Sequence, residues 1–173
     1  KGGICNPDGL DPAKVLQHKE KTGSVVGFAG AREVTNEELI ASDCEVLVPA
    51  ALSNQITAKN AESVKARLMV ELANGPTSPE ADRILNEKRT LVIPDIVANS
   101  GGVLVSYLEW LQNVHKEHWT ASEVQARLEE KMRQAFSEVL ATSREHGVDM
   151  RSSAMDTAVA RVVDALRTLG IWP

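Results

Sequence analysis

An α/β fold, with a mostly parallel sheet followed by helices alone, is the class that this 173-residue sequence predicts. Three observations carry the prediction. Short runs rich in β-branched residues alternate with capped helical stretches over residues 1–100. Aromatic residues make up only 3% of the chain, so the core rests on aliphatic side chains, as where buried parallel strands meet helices. Past Gly102 the strand-like runs stop and only helical periodicity continues. Residues 1–173 are therefore expected to form one domain, with an α/β part over 1–100 and a helical part over 101–173.

The elements follow in order. Lys1-Gly2-Gly3-Ile4-Cys5-Asn6-Pro7-Asp8-Gly9 reads as a loop. A chain opening on such a loop, without methionine, is expected to be an excised piece with elements upstream of it. Asp11 and Pro12 supply an N-cap and an N1 proline for a first helix, and Gly23 closes it. Thr35 to Glu38, Thr77 to Glu80 and Thr120 to Glu123 fit capping boxes. Val25-Val26, Val46-Leu47-Val48, Leu68-Met69-Val70 and Leu91-Val92-Ile93 read as buried strands. Val103 to Val114 is apolar on nearly every side and predicts a buried helix. Val124, Leu128, Met132, Phe136 and Val139 form one core-facing stripe. Met155, Val159, Val162, Val163, Leu166 and Leu169 form another, which Gly170 ends.

Charge and composition narrow the function. The net charge is −5, from 24 acidic and 19 basic residues, with no long run of either sign, so no nucleic-acid partner is expected. No apolar stretch approaches the ~20 residues of a membrane span, and no leader is evident. Cys5 and Cys44 read as reduced thiols of a cytoplasmic protein. His115 and His118 stand three apart on a helix, but no acidic or cysteine partner completes a zinc site, and no metal is expected. No convincing general base and no Ser/His/Asp arrangement emerges.

In an open parallel sheet, ligands bind beyond the carboxyl ends of the strands. The segments there are Pro49-Ala50-Ala51, Glu71-Leu72-Ala73-Asn74-Gly75-Pro76-Thr77 and Pro94-Asp95-Ile96-Val97-Ala98-Asn99-Ser100-Gly101-Gly102. Small residues let a flat ring approach the backbone, and an asparagine both donates to and accepts from a carboxamide. A nicotinamide ring is one ligand that fits, although asparagine beside glycine is also a common turn former. A helix starting near Ser100 or Gly101 aims free N–H groups and a favourable dipole at an anion. Asn99, Val103 and Ser106 would share one face of it, suiting a small anion with an aliphatic stem. Ser106 can equally return its hydroxyl to a backbone carbonyl.

Several further motifs stand out as an ordered set. They are Asn6-Pro7-Asp8-Gly9-Leu10-Asp11, His18-Lys19-Glu20-Lys21-Thr22-Gly23-Ser24-Val25, and Val48-Pro49-Ala50-Ala51-Leu52 with Asn54-Gln55-Ile56. Ala73-Asn74-Gly75-Pro76-Thr77 with Pro79-Glu80-Ala81-Asp82 belongs to the set, as does Pro94-Asp95-Ile96 with Asn99-Ser100-Gly101-Gly102-Val103. The set runs on through Ser106-Tyr107-Leu108-Glu109-Trp110 and Gln112-Asn113, and in this order it resembles the glutamate dehydrogenase family.

The resemblance implies a Rossmann-like dinucleotide-binding domain that holds NAD or NADP, truncated so that its first βαβ unit is missing. It implies a parent that converts L-glutamate to 2-oxoglutarate and ammonia. Ala50 and Ala51 match positions lining the cofactor. Asn74 and Asn99 match positions near the nicotinamide ribose and carboxamide. Asn99, Val103 and Ser106 match substrate contacts, with Ser106 near the distal carboxylate. The family's catalytic lysine and aspartate lie in a separate N-terminal domain. No catalytic residue is therefore assigned here, and the chain alone is expected to be inactive. The pyrophosphate-binding glycine turn is expected upstream of Lys1, and the parent is expected to be a homo-hexamer. Leu72 departs from the glycine or alanine usual there, and either fills core or crowds the cofactor. Relatives acting on leucine, valine or phenylalanine tend to lack the Ala73-to-Asp82 block and to place an apolar residue at Ser106, so glutamate is favoured. A different class of reading is a non-enzymatic module whose exposed sheet edge seeks a partner strand.

Overall fold

A computed structural model describes residues 2–170, so Lys1 of the predicted opening loop lies outside the described residues. Strand β1 (Gly3–Cys5) pairs antiparallel with β2 (Arg32–Val34), with Gly3 opposite Val34. The opening segment is thus partly a strand rather than all loop. Helix α1 (Pro12–Thr22) stands between them, and Asp11 caps it by accepting from the N–H groups of Ala13 and Lys14 at 3.0 and 3.2 Å. Gly23 ends it at φ 78°.

The expected strand at Val25-Val26 is a turn instead. The Phe28 N–H donates to Val25 O at 3.3 Å, and Gly27 at φ 83° reverses the chain. His18 Nε2 lies 3.1 Å from Val26 O, and the His18 ring meets Phe28 edge-on, so the segment is held against α1. Local packing therefore takes the β-branched pair away from a ladder.

The second sheet is parallel, as predicted. Its order is β3 (Val46–Leu47), β4 (Leu68–Val70), β5 (Leu91–Ile93), with Val46 opposite Leu68 and Leu68 opposite Leu91. Helix α2 (Asn36–Ile40) opens on the predicted capping box at Thr35 and Glu38 and precedes β3. A single 3-10 turn, Ala61–Ser63, precedes β4. Helix α3 (Pro79–Glu87) is the crossover between β4 and β5, and its Ala81 and Leu85 are fully buried. Ile40, Ile56, Met69, Leu85 and Val92 form the core beneath it. The cap of α3 is Ser78, which accepts from Ala81 N at 3.3 Å, and not Thr77. Thr77 instead bridges to Ile56 in strand-like fashion, and Pro79 places the cap at the residue just before it.

From β5 onward the chain is helical, as expected: α4 (Asp95–Ala98), α5 (Gly101–His115), α6 (Ala121–His146) and α7 (Met150–Leu169). Thr120 and Glu123 form the predicted capping box of α6. Val97, Val139, Met150 and Ala154 close a second core with Ile93, Phe136 and Leu140. The α6 stripe from Val124 to Val139 faces inward.

Three expectations about the helices are corrected. In α5 only Leu108 is buried, whereas Val103 is 71% exposed and Trp110 57% exposed. In α7 the buried residues are Met150, Ser153 and Ala154, and the whole stripe from Met155 to Leu169 is solvent-exposed. Apolar periodicity marks a face that wants cover, but the second core takes in only the first turns of α7, and Leu108 is the one buried residue of α5. Helix α5 ends at His115 because Lys116 turns left-handed at φ 56°, so His118 is not on that helix. Among the described residues, no helix is long and apolar enough to cross a membrane.

Candidate functional site

The segments beyond β3, β4 and β5 meet at the carboxyl edge of the parallel sheet, and main-chain bonds join them. Pro49 O accepts from Leu72 N at 3.0 Å and from Ala73 N at 2.9 Å. Asn54 N donates to Gly75 O at 2.9 Å, and Glu71 N donates to Ile93 O at 3.1 Å. Gly75 takes φ 53°, which lets the Asn74-Gly75-Pro76 turn fold back over the edge. Because β4 and β5 run parallel, the loops that follow them leave from the same end of the sheet.

Asn74 and Asn99, from different loops, are in direct contact. Asn99 Nδ2 donates to Asn74 Oδ1 at 2.7 Å and to Leu72 O at 3.3 Å. Leu72 O is a pure acceptor, so the Asn99 atom facing it must be nitrogen, and the Asn74 atom facing that nitrogen must be oxygen. The pair is left presenting Asn99 Oδ1 and Asn74 Nδ2, one acceptor and one donor. That set is the complement of a primary carboxamide, so these residues fit a nicotinamide. Leu72 does not fill core. Its side chain is 47% exposed, and its carbonyl serves Asn99.

Ala50 and Ala51 line a cleft of about 140 Å³ with Pro49, Leu39, Gln55 and Ile56. A site for a drug-sized ligand is roughly twice that or more, so this cleft is a wall and not a complete pocket. A more open cleft of about 770 Å³ lies against β1, β2 and α2, but it is lined by Glu33, Glu37 and Glu38. Three carboxylates there repel an anionic ligand.

Val103 and Ser106 sit on the first two turns of α5, both exposed. Ser106 Oγ donates to Gly102 O at 3.2 Å, the back-bonded arrangement that the sequence left open. Ser100 gives α5 no side-chain cap, because its hydroxyl goes to Val97 O at 2.9 Å. The first-turn N–H groups of α5 therefore keep no side-chain acceptor. Asn74, Val103 and Ser106 are exposed and Asn99 is half-buried, and the three clefts are lined by other residues.

Sequence reasoning missed an ionic cluster beneath the asparagine pair. Arg151, in the first turn of α7, places Nη2 2.7 Å from Glu71 Oε1, Nε 2.8 Å from Asp82 Oδ2 and Nη1 3.4 Å from Asp95 Oδ1. Glu71 is fully buried, and its other oxygen accepts from Asp95 N at 3.0 Å. Asp95 Oδ2 accepts from Gly75 N at 2.8 Å. Burial is the largest influence on Arg151 and opposes its charge. The carboxylates of Asp82 and Glu71 outweigh it and hold the guanidinium above its ordinary value. Asp82 and Asp95 lie inside the conspicuous motifs, but Arg151 is 80 positions from Glu71, beyond any spacing rule. Among the described residues, no group of three or more His, Cys, Asp or Glu is arranged to hold a metal ion.

The family model described as "Glutamate/Leucine/Phenylalanine/Valine dehydrogenase" matches residues 1–170. A glutamate dehydrogenase of Thermotoga maritima is 46% identical over 173 residues, which is 100% of this chain and 42% of that protein. The catabolic NAD-specific glutamate dehydrogenase RocG of Bacillus subtilis is 46% identical over 169 residues, 98% of this chain and 40% of that protein. Among solved structures, the hetero-hexameric glutamate dehydrogenase of Thermus thermophilus in its Leu-bound form superposes with TM-score 0.91 at 36% identity. It covers 99% of this chain, which spans 40% of it. The chain thus spans about two fifths of the length of the relatives it matches.

Proposed function

The chain belongs to the glutamate/leucine/phenylalanine/valine dehydrogenase family, and from that premise we propose that it supplies part of a nicotinamide-cofactor site and one wall of a glutamate pocket. The reading treats residues 1–173 as one truncated dinucleotide-binding domain, α/β over 1–100 and helical over 101–173. The parent activity is oxidative deamination of L-glutamate to 2-oxoglutarate and ammonia. The observation that carries the reading is the Asn99–Asn74 contact at 2.7 Å, which leaves the Asn99 Oδ1 acceptor and the Asn74 Nδ2 donor outside the contact. The names of the NAD-specific relatives favour NAD over NADP.

Within this reading each residue has a role. Asn74 and Asn99 orient the carboxamide of the ring, and Ala50 and Ala51 let the cofactor approach the backbone closely. Bound there, the cofactor supplies a hydride acceptor. Val103 contacts the aliphatic stem of glutamate. Ser106 exchanges its bond to Gly102 O for the distal carboxylate, near the uncapped N–H groups of α5. Rate depends on positioning and proton transfer, and proton transfer is assigned to groups outside this chain. The chain by itself is accordingly inactive and binds cofactor weakly. A parent of the relatives' length is read as a hexamer.

Two assays test the reading. In a protein of the relatives' length that carries this domain, Ser106→Val should lower kcat/KM for glutamate about tenfold or more. That is the scale of one lost charge-assisted hydrogen bond, and NAD+ affinity should be unchanged. An unchanged kcat/KM, or oxidation of glutamate by the 173-residue chain alone, would overturn the assignment.

A further inference from the structure

We propose that Arg151 is a positioning residue: through Glu71 and Asp95 it sets the Asn74–Asn99 pair, so the docking of α7 governs the geometry of the proposed cofactor contacts. The inference rests on the cofactor reading of those two asparagines.

The path is continuous and short. Arg151 Nη2 meets buried Glu71 at 2.7 Å, and Glu71 is the residue whose chain neighbour, Leu72, offers its carbonyl to Asn99. Glu71 Oε2 also accepts from Asp95 N at 3.0 Å and so fixes the start of α4. Asp95 O then accepts from Asn99 N at 3.0 Å, one helical turn on. On the other side, Asp95 Oδ2 holds the Gly75 N–H at 2.8 Å, which fixes the turn that carries Asn74. Both asparagines are thereby positioned from one cluster, and Arg151 is its cation. Asp82 of α3 anchors the guanidinium through Nε at 2.8 Å. The planar fork meets the three carboxylates from three separate nitrogens, a spread that a single ammonium nitrogen does not reproduce.

Arg151 is the α7 side chain in that cluster; the other polar ties of α7, Arg161 to Glu138 and Ser153 to Val139 O, run to α6 and not to the β4 and β5 loops. Displacing the first turn of α7 therefore withdraws the positive charge from Glu71 and Asp95 and loosens the β4 and β5 loops together. This makes Arg151 a link between the C-terminal helix and the site, with no contact of its own to a ligand.

The test is native-state hydrogen exchange on the 173-residue chain, with Arg151→Met and Arg151→Lys beside the unaltered protein. The amide of Gly75 reports the loop, and that of Met69 in the central strand reports global opening. The expected result is that Arg151→Met speeds Gly75 exchange about tenfold more than Met69 exchange, with Arg151→Lys between the two. Arg151→Lys keeps the charge and volume, so it carries the test if Arg151→Met fails to fold. Equal acceleration at Gly75 and Met69, or none, would overturn the proposal, because a merely structural role moves both alike. NAD+ titration of the same samples separates the two readings. Loss of affinity in step with the Gly75 ratio supports the link to the site. Failure of the unaltered chain to bind NAD+ overturns the cofactor reading, while the exchange ratio still decides whether Arg151 positions the loops.

Discussion

Arg151 Nη2 and Glu71 Oε1 stand 2.7 Å apart, joining the first turn of α7 to a fully buried carboxylate at the end of β4. A buried charge is tolerated only while it is paired and hydrogen-bonded. Removing the cation leaves Glu71 uncompensated in the interior. Arg151→Met should therefore cost about 3 kcal/mol of stability, read as a shift in the urea midpoint. Adding Glu71→Gln to that variant should recover much of the loss, because the stranded charge is gone. A second substitution that only adds to the loss would show that the pair is not what holds α7.

The core over the parallel sheet predicts a second effect. Leu85 of α3 is fully buried and packs among Ile56, Met69 and Val92. Leu85→Ala should cost about 3 kcal/mol, the range for a buried leucine truncated in a close-packed site. Leu166→Ala on exposed α7 should cost about 0.5 kcal/mol or less in this chain. Similar costs for both would mean that the α7 stripe is covered in solution.

The N-cap of α7 gives a pH prediction. Asp149 accepts from Ser152 N at 2.9 Å and from Ser152 Oγ at 2.7 Å. Partial burial is the largest influence and pushes its carboxyl up, but the hydrogen bonds from Ser152 and from the Arg151 and Asp149 backbone together outweigh it and leave it below its ordinary value. A group depressed in the folded state stabilises fully above the ordinary aspartate range, and that share is lost as pH falls through the lowered folded value. Asp149→Ala should cost about 1 kcal/mol at neutral pH and flatten the acid limb of the stability curve. An acid limb identical in both proteins would contradict the assignment of this group.

Ser106 separates a structural from a functional role. Its hydroxyl returns to Gly102 O within the same helix, a bond that adds little to helix stability. Ser106→Ala should leave the melting transition of the chain within about 0.5 kcal/mol of the unaltered protein. A large stability loss would mean that this serine is retained for the helix and would remove the case for a carboxylate contact.

Much of the fold was legible because its signals are local. Asp11 with Pro12, Thr35 with Glu38, Thr120 with Glu123 and three of the four apolar runs each declare an element within a few residues. Val25-Val26 failed because a contact from His18, carried on another element, decides its conformation. The exposed faces of α5 and α7 were unreadable in principle, since periodicity reports an apolar face and not what covers it. At the site, the meeting of Asn74 and Asn99 followed from parallel-sheet topology. The cluster beneath them did not, because Arg151 meets Glu71 only through the tertiary fold.

The most direct measurement is a titration of the isotope-labelled chain with NAD+, following the side-chain amide signals of Asn74 and Asn99 by NMR. The two should shift together along one saturating curve, with Asn99→Ala abolishing the response of Asn74. Shifts confined to the acidic cleft by Glu33 and Glu38, or no saturable shift at either asparagine, would contradict the claim that this edge receives the nicotinamide.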